Sequence, residues 1–452
     1  MKNYILCFLF LLVSLSVFAQ KQWTLSECLR YATDNNLELK KKALEINLSK
    51  ADKTQSYFEM VPTAVAGGSY ALVNGLDYNY NAGMYENARV ANGQLSLSGE
   101  VTLFHGFALV NDVRAAHYDY ERAKADLAVE QKNISIRIMV KYIDVLFKRD
   151  LYTASKQQTE ISQQQKIKGE EIYSLGGISN AEFLELKAQF ARSLADEVSY
   201  KNQYQLNLLE LAQFLDIADA QSFEVASPNL TDSSLSAILP DLAALDANSR
   251  GQFPEIKSAS NQVRVKEMNY YAAIGRLTPR FYAGYNYNTW FADNGIDANK
   301  ANNDPTRMYP SYSYRDQIDA NLRKTIYVGV SIPILNKYSA QTARTKSKIS
   351  LKYAEHSYEQ VENSVTKELT STFLETTGAW SNFQAATEKF DATSASWEAA
   401  KEKFELGGIS SIDLGIARKN QFEAETNLIN SKYNFILRKK ILDYYMGEPL
   451  SL

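Results

Sequence analysis

Residue types that carry catalysis or bind metals are scarce in this sequence of 452 residues. Its three histidines, His105, His117 and His356, form no His-Glu-x-x-His pattern, and no glycine loop of the phosphate-binding type occurs. The two cysteines, Cys7 and Cys28, are too few for a cysteine-rich zinc site and have no obvious partner base. We therefore expect no catalytic residue, no bound metal and no cofactor.

Two acidic residues do occur in a pattern with a clear physical role. Glu182 follows Ser179 by three residues, and Asp413 follows Ser410 by three, which is the spacing of a capping box at the start of a helix. Each serine ends a Leu-Gly-Gly-Ile-Ser segment. The glycines of these segments can adopt the left-handed conformation that ends a helix, so each segment is predicted to join two helices. The two segments are Leu175, Gly176, Gly177, Ile178 and Ser179, and Leu406, Gly407, Gly408, Ile409 and Ser410.

These two segments belong to an internal duplication of the chain. The separation of Leu175 from Leu406, here called the C-terminal offset, also aligns Ile134 with Val365 without a gap. Nearer the N-terminus a smaller separation, the N-terminal offset, aligns Pro62 with Pro279. The second copy therefore carries an insertion between about Tyr287 and Ile326. Because insertions are tolerated at surfaces, this part is predicted to be a surface loop.

Hydrophobic periodicity changes twice within each copy and gives the order of the elements. The sequence from Leu25 to about Phe58 contains neither Pro nor Gly and predicts one helix that ends before Pro62. Apolar residues then alternate with a period of two, which indicates two strands per copy. The next stretch, Ala108–Ser174, and its counterpart Ser339–Glu405 predict helices of about 67 residues, roughly 100 Å long at 1.5 Å per residue. A shorter helix returns after each turn.

The N-terminus has the features of a secretory signal peptide. Lys2 precedes an apolar run from Tyr4 to Ala19, too short to span a bilayer, and small residues mark a cleavage site after Ala19. No apolar run in the mature chain approaches the length of about 20 residues that a membrane-spanning helix needs, so none is expected. We divide the chain into a signal peptide (1–19), a first structural repeat (20–216), an inter-repeat equatorial segment (217–251) and a second structural repeat (252–452).

The predicted strands imply more than one chain. Four strands leave two open edges, and a membrane barrel closes with no fewer than about 8 strands. Two chains would give a barrel filled by its own side chains, whereas three would give about twelve strands in a ring with threefold symmetry.

At its N-terminus the mature sequence resembles the TolC-like outer membrane efflux proteins. The similar residues are Trp23-Thr24-Leu25-Ser26-Glu27-Cys28-Leu29-Arg30-Tyr31-Ala32 and Asn35-Asn36-Leu37-Glu38-Leu39. The duplicated halves, the paired strands and the Leu-Gly-Gly-Ile-Ser turns also match that family.

The resemblance implies a fold, a location and a set of partners. The fold would be mainly α with a membrane β-barrel: a trimeric 12-stranded barrel, four strands per chain, continuous with a long α-helical periplasmic tunnel. The protein would be a homotrimer in the cell outer membrane, in contact with its lipid. It would dock with a periplasmic adaptor (membrane fusion) protein and an inner-membrane pump. It would thus be the exit duct of a tripartite efflux or type I secretion system that exports small molecules.

The resemblance also gives the two turns a function. Six turns per trimer would form the periplasmic tip, where acidic side chains can narrow the pore and favour cations. Asp413 corresponds to the first of two constriction aspartates of the family, whereas Ile416 stands at the second, so the gate could be one acidic ring or an apolar one. Glu182 is a further candidate, although acids at helix starts are ordinarily caps. The residues of both Leu-Gly-Gly-Ile-Ser segments would dock the adaptor; the alternative is that they are merely tight turns.

Two other functions are considered beside the efflux duct. A secreted coiled-coil structural protein would explain the long helices but not the strands, and a general porin would have many more strands per chain. Nucleic acid is not an expected partner, because 49 basic and 52 acidic residues nearly balance and no basic block occurs.

Overall fold

The computed structural model of the protein describes residues 22–79, 82–217, 222–228, 253–296 and 312–450. The predicted signal peptide and most of the predicted inter-repeat segment lie outside the described residues. The helices are α1 (Leu25–Asn35), α2 (Leu37–Phe58), α3 (Ala108–Ser174), α4 (Asn180–Phe214), α5 (Pro254–Gly275), α6 (Tyr314–Ala320), α7 (Ser339–Glu405) and α8 (Ser411–Tyr445). The strands are β1 (Gln22–Trp23), β2 (Val65–Asn79), β3 (Met84–Phe104), β4 (Glu224–Val225), β5 (Arg280–Ala292) and β6 (Arg323–Ser331).

The helices reproduce the predicted duplication to the residue. Helices α3 and α7 both have 67 residues, and α4 and α8 both have 35. In each of these pairs the two helices start at positions related by the C-terminal offset. Helices α2 and α5, of 22 residues each, start at positions related by the N-terminal offset. The predicted long helices and their bounds are therefore confirmed.

Four strands form one antiparallel sheet in the order β2-β3-β5-β6. The β2–β3 hairpin belongs to the first repeat and β5–β6 to the second, so β3 and β5 pair across the repeats. Strands β2 and β6 each have one neighbour in this sheet. The predicted two strands per repeat are confirmed.

The predicted surface loop in the second repeat contains a helix. Helix α6 packs on β5, where the buried side chain of Gln317 accepts a hydrogen bond from the Ala292 amide (2.9 Å) and donates to the Ala292 carbonyl (2.7 Å). The Thr289 hydroxyl also donates to the Ile318 carbonyl (2.7 Å). The loop prediction was wrong for this part because a capping serine, Ser313, starts a short helix that length and composition alone did not indicate.

The predicted single helix from Leu25 to Phe58 is two helices. Asn36 lies between them in an extended conformation, with φ −61° and ψ 128°. Its side-chain oxygen accepts hydrogen bonds from the amides of Glu38 (2.9 Å) and Leu39 (3.2 Å), and it therefore caps α2. The absence of Pro and Gly predicted one continuous helix. An asparagine can also end a helix, because its side chain accepts hydrogen bonds from the first amides of the next one.

The chain forms two compact units, and each combines parts of both repeats. One comprises the described residues among 1–44, 124–257 and 359–452, and the other comprises those of 45–123 and 258–358. The repeats are therefore units of sequence and not of packing. Within the described ranges, every helix is too short or too polar to span a membrane.

The first of these units is organised around Tyr142 in α3. Its hydroxyl lies 3.0 Å from the Trp23 carbonyl and 2.9 Å from the Ala226 carbonyl, beside the short parallel pair β1–β4. The ring is buried among apolar side chains that include Leu25, Cys28 and Ile138. Burial raises the pKa of the Tyr142 hydroxyl, so it stays a hydrogen-bond donor at neutral pH.

Candidate functional site

The turn between α3 and α4 ends its first helix with a glycine in the left-handed conformation. Gly176 has φ 75°, its amide donates to the Tyr173 carbonyl (2.9 Å), and the Gly177 amide donates to the Ile172 carbonyl (2.9 Å). This is the Schellman pattern, which satisfies the last carbonyls of a helix.

The turn between α7 and α8 repeats the pattern at the equivalent positions of the second copy. Gly407 has φ 74° and donates to Phe404 (3.0 Å), and Gly408 donates to Lys403 (2.8 Å). In each turn the first glycine has the left-handed conformation that ends the helix, and the second glycine does not have a positive φ. Gly177 is instead needed for space, because a Cβ there would lie 2.7 Å from the Ile172 Cγ2 atom.

Both turns start the returning helix with a complete capping box. Ser179 accepts from the Glu182 amide (3.2 Å), and one Glu182 carboxylate oxygen accepts from the Ser179 amide (2.8 Å) and hydroxyl (2.9 Å). Ser410 and Asp413 make the same three contacts at 3.2, 3.3 and 2.8 Å. The predicted capping role of both acids is confirmed, and it leaves the second carboxylate oxygen of each acid outside the capping bonds.

The pH dependence of the first capping box can be tested. The Ser179 amide, and then its hydroxyl, lower the pKa of Glu182 by donating to its carboxylate. The capping contribution is therefore present above the ordinary glutamate value of 4.5 and is lost as the pH falls through the lower pKa of the folded state. We expect hydrogen-exchange protection of the Ser179 amide to fall over this range.

The matched control for this experiment is Glu182→Gln, which keeps an acceptor but does not titrate. Its protection factor at Ser179, measured by mass spectrometry, should be independent of acidic pH. The same pH dependence in both proteins would contradict the role given to Glu182.

The apolar residues of the turns differ in exposure. Leu175 and Leu406 are 86% and 88% exposed, whereas Ile178 and Ile409 are partly buried. The Ile178 side chain points back to α3, where it approaches Gly169. Each turn thus presents one leucine to solvent on a backbone held by hydrogen bonds.

The exposed face of α8 carries the other predicted site residues. Asp413 and Ile416 are exposed, and Ile412 and Ile416 line a groove with residues of α4 that include Gln189 and Arg192. Leu414 lies on the opposite, buried face of α8.

A buried arginine that the sequence did not indicate fixes the orientation of α8. Arg418 donates through Nη1 to Gln421 (2.6 Å) and through Nε to Gln158 in α3, and its guanidinium lies 5.3 Å from the ring centre of Trp397 in α7. Burial lowers the Arg418 pKa and raises that of the neighbouring Glu425. Arg418 lies one turn after the buried Leu414, on the same face of α8. The sequence alone does not show that this face is buried, and arginines at helix surfaces are common, so the role of Arg418 was not predicted.

Among the described residues no group of three or more His, Cys, Asp or Glu side chains is placed to hold a metal ion. Each of the two turns is a capped helix end that exposes a leucine to solvent.

Comparison with known proteins agrees with this architecture. The sequence profile of the outer membrane efflux protein family matches residues 248–448. Outer membrane protein TolC of Escherichia coli strain K12 is 20% identical over 414 residues, which cover 91% of this chain and 80% of TolC.

Solved structures share the fold along nearly the whole chain. CusC, whose crystal structures concern transmembrane channel formation, has a TM-score of 0.79 at 14% identity and covers 96% of both chains. The outer membrane protein VceC of Vibrio cholerae has a TM-score of 0.77 at 13% identity, with 94% of this chain and 97% of VceC covered.

The long helices together with the four-stranded sheet have the fold of these outer membrane proteins. The chain is therefore similar to the outer membrane efflux protein family over residues 248–448 and to TolC over most of its length. The fold class predicted from the sequence is confirmed.

Proposed function

We propose that this protein is the outer membrane exit duct of a tripartite efflux or type I secretion system and exports small molecules. It acts as a homotrimer with a large periplasmic part, and it docks with a periplasmic adaptor and an inner-membrane pump. The observation that carries this proposal is the pair of identical capped turns, each of which ends a 67-residue helix and exposes a leucine. The same five residues recur in both turns, whereas a turn that only reverses the chain tolerates many sequences.

The direct test measures transport and partners together. Deleting the gene should raise cellular retention of a cationic dye such as ethidium, and the detergent-purified protein should form conducting channels in planar bilayers. Cross-linking in cells should recover an adaptor and an inner-membrane pump. A protein that conducts but recovers neither partner would overturn the tripartite assignment.

The other functions considered from the sequence fit less well. A general porin has many alternating strands per chain, whereas the described residues contain one sheet of four strands. A secreted coiled-coil protein would not explain that sheet or its exposed apolar residues.

The pore constriction is assigned to Asp413 and Ile416 on the exposed face of α8, with Glu182 as the corresponding acid of the first repeat. Three copies of Asp413 form a ring whose negative charge attracts cations and repels anions. Ile416, one turn further along, adds an apolar ring.

Replacing Asp413 with alanine should raise the ratio of anion to cation permeability about severalfold, because the charge of the ring is removed. The measurement is the reversal potential of single channels under a salt gradient. Ser410→Ala is the matched control, since it breaks the same capping box and keeps the carboxylate. An equal change in both variants would show that the effect comes from the lost cap, and no change in Asp413→Ala would remove this residue from the constriction.

A further inference from the structure

The groove between α4 and α8, here called the α4–α8 groove, is a cavity beside the residues assigned to the constriction. Its volume is about 370 Å³, which is within the range of sites that hold small molecules. Ile416 belongs to its wall, and two buried residues of α3, Ser155 and Gln158, also line it. The groove is therefore large enough for a small molecule and lies next to the proposed gate.

Ser411 lines this groove with a hydroxyl that has no hydrogen-bond partner among the described residues. The residue is only 1% exposed. The two other serines of the groove are satisfied within their own helices, because Ser155 donates to the Tyr152 carbonyl (2.9 Å) and Ser193 donates to the Gln189 carbonyl (3.1 Å). Ser411 is the first residue of α8, so no preceding turn of this helix offers it a carbonyl. A buried hydroxyl without a partner is unfavourable, and Ser411 therefore points to a polar group inside the groove.

Gly415 lies one turn after Ser411 and leaves space on the same side of α8. A Cβ atom at this position would lie 3.3 Å from the Gln189 Oε1 atom of α4. Glycine inside a helix is less favourable than alanine, so this position gives up helix stability for room. The Gln189 amide, which also lines the groove, can thus be reached by a molecule that hydrogen-bonds to Ser411.

The charged residues at the rim of the groove are already paired or exposed. Arg192 donates to Glu185 within α4, and the Lys419 ammonium lies 3.6 Å from Glu423 within α8. Asp196 is exposed to solvent, where its charge is screened. The interior therefore offers neutral polar groups and apolar side chains, and a charged molecule would lose hydration there without gaining a counter-ion.

We propose that the α4–α8 groove binds an uncharged amphipathic molecule. Its polar group hydrogen-bonds to the Ser411 hydroxyl and the Gln189 amide. Its apolar body packs on Ile412 and Ile416, which are exposed when the groove is empty. This inference rests on the proposed function and names the class of exported molecule that is held beside the constriction. Cations are attracted by the Asp413 carboxylates instead, outside the groove.

Binding of chloramphenicol, an uncharged aromatic amide with two hydroxyls, tests this site. The purified protein is placed in lipid nanodiscs, and binding of the radiolabelled compound is measured by equilibrium dialysis. Empty nanodiscs give the amount that partitions into lipid. We expect saturable binding of one molecule per chain, and Ser411→Ala should weaken it about fivefold to tenfold, because one hydrogen bond to a buried group is lost. The alanine variant should fold normally, since it removes a buried hydroxyl that has no partner.

Filling the groove gives a second test with a matched control. Gly415→Leu should abolish saturable binding, because its side chain occupies the space beside Gln189. Gly378→Leu places the same side chain at a glycine of α7 where a Cβ atom would have no neighbour within 4 Å, and it should bind chloramphenicol as the wild type does. Ser411→Ala decides the question if Gly415→Leu does not fold.

The remaining outcomes separate this site from the proposed function. Equal affinity of the wild type and Ser411→Ala, saturable binding to a folded Gly415→Leu, or no saturable binding to the wild type would each overturn the site. The same holds if ethidium, a cation, binds the wild type more tightly than chloramphenicol and loses this binding in Gly415→Leu. Conductance and dye efflux of the wild type are measured separately. A channel that conducts and exports but does not bind chloramphenicol would overturn only the groove, whereas a protein that does not conduct would overturn the proposed function.

Discussion

Replacing both Leu175 and Leu406 with aspartate is expected to abolish efflux while the protein still folds, assembles and conducts. The two side chains are 86% and 88% exposed, so the charges meet water in the free protein and cost little stability. In a complex with the adaptor the same six positions per trimer would bury unpaired charges. We expect the affinity for the adaptor to fall by at least about tenfold, which is about 1.4 kcal/mol.

The measurements are dye efflux in a deletion strain that carries the variant, recovery of the adaptor by cross-linking, and conductance of the purified channel. The control, Leu175→Met with Leu406→Met, keeps apolar side chains of similar size and should retain efflux. Normal efflux by the aspartate variant would show that the exposed leucines do not contact the adaptor. A loss of conductance would indicate a defect of the channel rather than of docking.

The repeated elements could be predicted from the sequence because the duplication presents the pattern of each element twice. The bounds of α3 and α7 followed from long stretches without proline and from the Gly-Gly turns, whose hydrogen bonds are local. The capping boxes at Ser179 and Ser410 followed for the same reason: their partners lie three residues away.

The features that the sequence could not predict depend on contacts between distant residues, or on a side chain that caps a new helix where the existing helix could have continued. Asn36 caps α2 although nothing distinguishes it from an ordinary helical asparagine before the structure is known. Helix α6 forms where the Gln317 side chain hydrogen-bonds to the backbone of β5. The buried side chains of Arg418 and Lys132 are charged, and hydropathy places such residues at the surface.

Lys132 in α3 lies in a cage of acidic and aromatic side chains. Its Nζ atom is 2.7 Å from Glu255 Oε1, and it lies 4.8 Å and 5.0 Å from the ring centres of Phe253 and Tyr445. The Tyr445 hydroxyl donates to Glu368, whose carboxylate is also 3.9 Å from Lys132 Nζ. Only 6% of the Lys132 side chain is exposed, and the Oε2 atom of Glu255 is buried without a hydrogen-bond partner. The ammonium group is therefore the counter-ion of a partly buried carboxylate.

Replacing Lys132 with methionine should lower the free energy of unfolding by about 3 kcal/mol, because it keeps the apolar stem but leaves the Glu255 carboxylate without its counter-ion. The measurement is chemical denaturation at one fixed protein concentration, since assembly contributes to apparent stability. Adding Glu255→Gln to the variant should restore part of the loss, because the uncompensated charge is then removed. Lys419→Met is the control: its ion pair with Glu423 is exposed, at 3.6 Å, and its loss should cost less than about 0.5 kcal/mol. Equal losses for the two lysine variants would mean that the cage around Lys132 contributes no more than a surface ion pair.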